Sequence, residues 1–182
     1  VSHISFSIIH YTSFIIHRGN KLLTALYIGD HSGDTLSVRA GWALTRMVQR
    51  GAYRQVTHTE MILDEMADGS VLIGSSSLRD GGVRIKKAKL NPAHWLIVDV
   101  PSWDIGQSFN WFIKHKGDKY DLWGALATVL PSSQYYDRWY CNEACAASVG
   151  IVEPQLFGPA QYAAISMSLG RDVTAEFFKG RL

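Results

Sequence analysis

Cys141 and His58 are the two residues of this chain whose types and settings suit covalent acyl chemistry. Cys141 opens residues 141–149 (CNEACAASV), an alanine-rich run that predicts a helix closed by Gly150. A thiol in the first turn of a helix meets unpaired backbone N–H groups and the positive end of the helix dipole. Both favour an anionic sulfur, and the same N–H groups could hold an oxyanion. His58 lies in residues 55–63 (QVTHTEMIL), whose alternation predicts a strand with Val56, His58, Glu60 and Ile62 on one face. An imidazole between Thr57 and Thr59 is an unusual choice for a plain core, and a histidine beside a thiol supplies the base that nucleophilic catalysis needs. The bland alternative for Cys141 is a buried structural thiol. Cys145, one turn deeper between Ala144 and Ala146, is read that way. A zinc site built from Cys141, Cys145 and a histidine is disfavoured, because C-x₃-C without a second cysteine pair is a poor ligand pattern; no metal or cofactor is expected.

Six other histidines compete with His58. His3, His10 and His17 fall in the first 20 residues, His31 in a loop, and His94 and His115 at element ends where solvation suffices. The elements that must position the pair follow from periodicity and turn signals. Residues 21–29 read as a strand, and apolar residues from Ser37 to Val48 recur at helical spacing until Gly51. Asp68-Gly69 predicts a tight turn that returns the His58 strand as a hairpin through residues 71–75 (VLIGS). Residues 83–88 and 94–100 supply further strands, giving four or five antiparallel strands in all. Helices then take over. The first starts at Ser102 as N-cap with an Ile105, Phe109, Phe112 and Ile113 stripe; others follow over residues 121–129, 141–149 and from about Pro159 to Leu169. A meander followed by helices is the order of an α+β domain.

The chain has 182 residues, enough for one domain with a real core. Its 18 basic and 16 acidic residues give a net charge of +2, which leaves no electrostatic footprint for nucleic acid. The densest basic run, residues 84–89 (RIKKAK), is read as the wet face of a strand. The apolar stretch at residues 4–16 is too short to span a bilayer and lacks a basic flank and a cleavage site, so no transmembrane segment is expected. Residues 1–20 are read as an uncertain N-terminal extension without a catalytic role, and residues 21–182 as a single domain. Helical cysteines four apart are poorly placed to bridge, so both thiols are expected free, which fits a reducing, cytoplasmic setting.

Gly29-Asp30 (or Gly33-Asp34), Trp42, Thr57-His58, Gly81-Gly82-Val83, Tyr120-Asp121 and Trp139-Tyr140-Cys141-Asn142-Glu143 together resemble the circularly permuted NlpC/P60 enzymes. These are papain-like cysteine hydrolases of the YiiX/YaeF type, more distantly similar to lecithin:retinol acyltransferases. The resemblance covers about residues 22–169, and Asn142 stands where the family's serine usually follows the cysteine. It implies a permuted papain-like α+β fold, with the histidine strand ahead of the cysteine helix and an antiparallel sheet packed against that helix. It also implies Cys141 as nucleophile and His58 as general base. The family's third polar residue, often Glu, lies on the strand after the histidine strand, but residues 72–77 (LIGSSS) offer only hydroxyls there. Ser75, Ser76 or Glu60 is therefore expected to orient His58, with Tyr120 as a candidate oxyanion donor. Glu143 is expected to be structural, complementing the helix dipole and pairing with Arg138 or Arg46.

The expected activity is hydrolysis of an amide, ester or thioester through an acyl-enzyme, with a small-molecule, peptide or lipid acyl substrate. Transfer of the acyl group to another acceptor and a noncatalytic binding module on the same fold are the alternatives.

Overall fold

The computed structural model describes residues 21–29, 39, 43, 46, 47, 49, 51–127, 137–179 and 181. Residues 1–20, His31 and most of the helix expected from Ser37 lie outside them, although Arg39, Ala43, Arg46 and Met47 are helical. The chain forms an α+β fold around one mixed sheet. In order, the elements are β1 (Leu23–Tyr27), β2 (His58–Glu65), β3 (Val71–Ser77), β4 (Gly82–Ala88), β5 (Trp95–Asp99), α1 (Ile105–Lys114), β6 (Lys119–Tyr120), α2 (Leu122–Ala127), β7 (Arg138–Trp139), α3 (Cys141–Ser148), a 3₁₀ turn (Pro154–Leu156), α4 (Pro159–Leu169), β8 (Arg171–Asp172) and α5 (Thr174–Phe178). The strands lie in the order β7-β6-β4-β3-β2-β1-β5-β8.

The central strand β2 shows why the sheet is two-sided. Its residues 59–64 are buried without interruption, on both faces of the sheet. Met61 and Leu63 enter a core with Phe109 and Phe112 of α1, Ala144, Cys145 and Ala146 of α3, and Tyr162 and Ala163 of α4. Ile62 enters a second core with Leu23, Ala25, Val71, Ile73 and Ile97, closed by Phe177 and Phe178 of α5. A strand covered on both faces loses the alternation that a half-exposed strand displays. The covering α5 and the short β8 were not anticipated, because elements of five and two residues carry too few periods to be read.

Three expectations need correction. The sheet is not wholly antiparallel, since β6 and β7 pair in parallel through Lys119↔Arg138 and Tyr120↔Trp139. The N-cap of α1 is Asp104 rather than Ser102: its carboxylate accepts from the Gln107 N–H at 2.6 Å, while Ser102 lies in the preceding turn. The basic run on β4 is not simply a wet face, for the Arg84 side chain is only 12 % exposed and is held in ion pairs. No helix among the described residues is long and apolar enough to cross a membrane.

Two glycines mark contrasting turns. Gly69 (φ 75°) makes the β2–β3 turn, with open space where a Cβ would stand. Gly82 (φ 153°) starts β4 where a Cβ would lie 1.9 Å from the Asp118 carbonyl oxygen. That close approach lets Val83 N–H donate to Asp118 O and Tyr120 N–H donate to Gly81 O, docking β6 on β4. Gly82→Ala is therefore expected to lower stability by about 3 kcal/mol, through both strain and clash, whereas Gly69→Ala costs about 1 kcal/mol through backbone strain alone. Urea midpoints measure both, and equal losses would show that the approach of Asp118 is not what demands glycine.

Candidate active site

Cys141 is the first residue of α3, and the residues around it fix where that helix begins. Glu143 accepts from the Tyr140 N–H at 3.2 Å, satisfying a donor at the helix start. The Tyr140 hydroxyl donates to Gln155 O at 2.7 Å, and the Asn142 side-chain amide donates to Phe157 O, tying the same turn to the 3₁₀ segment. Ala144, Cys145 and Ala146 are fully buried, and their small side chains let α3 lie directly on β2 and β3. The result holds the Cys141 thiol at the positive end of a rigid helix, 2 % exposed.

His58 is the first residue of β2, opposite Tyr27 on β1, with its ring edge-on to Trp95 at 6.4 Å between centroids. The β2–β3 ladder ends at Met61↔Gly74, so the first residues of β2 are not laddered to β3. At this opening the Ser75 hydroxyl donates to Thr59 O at 2.6 Å and lies 3.9 Å from the Cys145 sulfur of α3. The Cys141 Sγ lies 3.8 Å from Asn142 Oδ1, and the charge of Cys141 acts on the His58 imidazole.

On its other side, His58 Nε2 lies 2.8 Å from Glu60 Oε1. The period of two along β2 brings the two side chains to the same face. Burial is the largest influence on the imidazole and by itself lowers its pKa, but the charges of Cys141 and Glu60 and their hydrogen bonds outweigh it. His58 is raised from 6.5 to about 9. Glu60, 4 % exposed, shows the converse. Burial raises its pKa, but the charges of Arg84 and His58 prevail and hold the carboxyl at about 2. Arg84 reaches Glu60 from β4, donating to both oxygens at 3.0 and 2.6 Å, while its Nε donates to Asp80 at 2.7 Å.

Among the residues that could orient His58, it is Glu60 that the structure sets against the ring. Ser75 is committed to Thr59 O, and the Ser76 hydroxyl donates to Trp139 O at 2.6 Å. Tyr120 is half-buried. Burial, followed by the charge of Cys141, pushes its phenol well above the usual value, so it remains an O–H donor. Glu143 acts as a cap, and Arg46 donates instead to Gly29 O at 2.6 Å. Burial, together with the nearby Asp121, pushes Glu143 up to about 8 despite its backbone hydrogen bond. Cys145 is fully buried beside Ser75, and burial pushes its thiol up. His115 is not left to solvent: Nδ1 lies 2.8 Å from Asp118 and the ring stacks on Trp111 at 4.3 Å.

Arg84 and Asp80 are the site residues that sequence reasoning missed. A carboxylate in mid-strand was the available signal, because a buried anion demands a cation and β4 carries one two strands away. Comparison of the chain with protein-family models, with curated proteins and with solved structures finds no match.

Proposed function

We propose that the protein is a cysteine hydrolase of the permuted NlpC/P60 type, acting on an amide, ester or thioester through an acyl-enzyme on Cys141. The observation that carries this reading is the His58–Glu60 pair on β2, with the Cys141 charge acting on the same imidazole from the N-terminus of a buried helix. With its pKa raised to about 9, the His58 imidazole holds its proton at neutral pH, as a base paired with a nucleophilic thiol must.

The chemistry follows from the positions. The Cys141 thiolate attacks the carbonyl carbon, a C–S bond forms, and the π electrons move to oxygen. Backbone N–H groups of the first turn of α3 and the Tyr120 hydroxyl are the donors for that oxyanion. As the carbon–heteroatom bond breaks, the His58 imidazolium passes its proton to the leaving group, leaving a thioester on Cys141 and a neutral ring. His58 then takes a proton from water, hydroxide equivalent adds to the thioester, and collapse releases the acid and the thiolate while His58 keeps the proton. Glu60 holds the ring and opposes its positive charge throughout. An alcohol or amine in place of water would give acyl transfer.

A second reading is favoured by the 2 % exposure of Cys141, namely a binding module whose thiol is closed to substrate. A panel of amide, lipid-ester and thioester acyl donors separates the two. The hydrolase reading expects a covalent adduct by intact mass, release of acid with time, and partition to hydroxylamine. Binding of a donor without any adduct would support the module instead.

A further inference from the structure

We infer that Arg84 is a positioning residue that fixes Glu60 against His58 and shares its negative charge, so that His58 pairs with the Cys141 thiolate yet yields its proton to a leaving group. This rests on the reading of Cys141 and His58 as the reacting pair. Arg84 lies on β4 and Glu60 on β2, with β3 between them. Two strand spacings amount to about 10 Å, a gap that a guanidinium on its long stem can close only if the residue between is small. The register partner of Arg84 on β3 is Ser75, whose side chain is small. The absence of a carboxylate from that stretch of β3 thus has a structural counterpart: the third polar group is on the histidine's own strand, and β3 leaves room for the arginine that steadies it.

The geometry of the contact is that of a fork. Two guanidinium nitrogens meet the two Glu60 oxygens, which fixes the carboxylate plane, and Nε is anchored on Asp80, itself paired with Lys86 at 2.6 Å. Glu60 Oε1 is shared between Arg84 at 2.6 Å and His58 at 2.8 Å. An anion divided between two cations stabilises each less than it would alone. Glu60 without Arg84 would give its whole charge to His58, making the imidazolium a poorer acid, and would itself take up a proton more readily. The groups that act on this cluster are His58 and Glu60 from β2, Arg84 and Lys86 from β4, Asp80 from the β3–β4 turn, Cys141 and Cys145 from α3, and Tyr120 from β6.

The test is an NMR titration of the His58 ring carbon in the full chain, assigned by His58→Gln and carried out in the Cys141→Ala background, where the thiolate no longer supports the imidazolium. Arg84→Met is expected to move the His58 inflection upward by about one pH unit, and Arg84→Lys, which keeps the charge, to stay within about half a unit of the parent. In a Glu60→Gln background the Arg84→Met shift should shrink to a few tenths, as it must if Arg84 acts through Glu60. An inflection that is unchanged or lowered in Arg84→Met, or a shift that persists in full without Glu60, overturns the inference. Should Arg84→Met not fold, Asp80→Asn decides: removing the anion behind Arg84 is expected to lower the inflection by a few tenths, and no movement overturns the inference. The underlying reading is tested separately. If Cys141→Ala itself leaves His58 where it is in the wild type, the two residues are not a pair, whatever Arg84 does.

Discussion

Cys141→Ala is expected to abolish acyl-enzyme formation and to reduce turnover of any acyl donor by about six orders of magnitude, the scale on which loss of a catalytic nucleophile acts. The reason is that, among the described residues, the neighbouring thiol and hydroxyls are not placed to substitute. Cys145 is the nearest chemical equivalent, one helical turn away, but it is fully buried against Ser75 and its thiol is pushed up by burial, so it stays protonated. Ser75 and Ser76 spend their hydroxyl protons on main-chain carbonyls. Cys145→Ala, in contrast, removes one small buried atom and is expected to keep acyl-enzyme formation within a few-fold of wild type, at a stability cost of about 1 kcal/mol. Intact mass after incubation with an activated thioester reads all three proteins. An adduct on Cys141→Ala, or equal labelling of the two cysteines in the wild type, would refute the division of labour.

What could be read from the sequence and what could not divide along a physical line. Cys141 at the start of a helix and His58 on a strand were legible because each depends on local pattern: an alanine-rich run ended by Gly150, and an alternating run led by threonines. The β2–β3 hairpin was legible for the same reason, since Asp68-Gly69 names its own turn. Arg84 was not. Within RIKKAK it is one of four basic residues, and its alternation with Ile85 says only that it faces away from the core that holds Ile85. Whether that face is open to water depends on which strands flank β4 and what lies on them. Strand order places Glu60 two strands away, and only then does Arg84 differ from Lys87, which pairs with Asp68 at the surface. Period two assigns a residue to a face; it does not say whether the face is covered.

The same limit governed the third member of the site. Ser75 and Ser76 on β3 are candidates because the resemblance places the orienting residue there, whereas Glu60 is a candidate from the i, i+2 relation along β2 alone. Tyr120 depends on still longer relations. It comes to the start of α3 because Gly82 admits Asp118, β6 docks on β4, and β7 beside it leads directly into α3.

His58→Gln is expected to change both the pH dependence of stability and the chemistry. In the folded protein His58 is raised from 6.5 to about 9, so the native state binds this proton more tightly than the unfolded chain. Its contribution is fully present below pH 6.5 and is lost as the pH rises through 9. Glu60 runs the other way: lowered from 4.5 to about 2, it contributes above pH 4.5 and loses that contribution as the pH falls toward 2. The two act together in full between 4.5 and 6.5. The His58 part amounts to about 3 kcal/mol, falling with a slope of up to about 1.4 kcal/mol per pH unit on the alkaline side. Glu143 adds to the same decline, because its carboxyl is raised from 4.5 to about 8 and its contribution is lost as the pH rises through that value. Urea unfolding of the wild type and of His58→Gln at several pH values separates the two. The variant should lose the part of the slope between 6.5 and 9 that belongs to His58 and keep the part that ends near 8 with Glu143. Without the imidazole the general acid of the proposed chemistry is lost, so turnover should also fall by about 10⁴-fold. A His58→Gln protein whose stability declines toward alkaline pH as steeply as the wild type would show that the folded state does not hold the His58 proton, and with it would go the imidazolium on which the proposed chemistry depends.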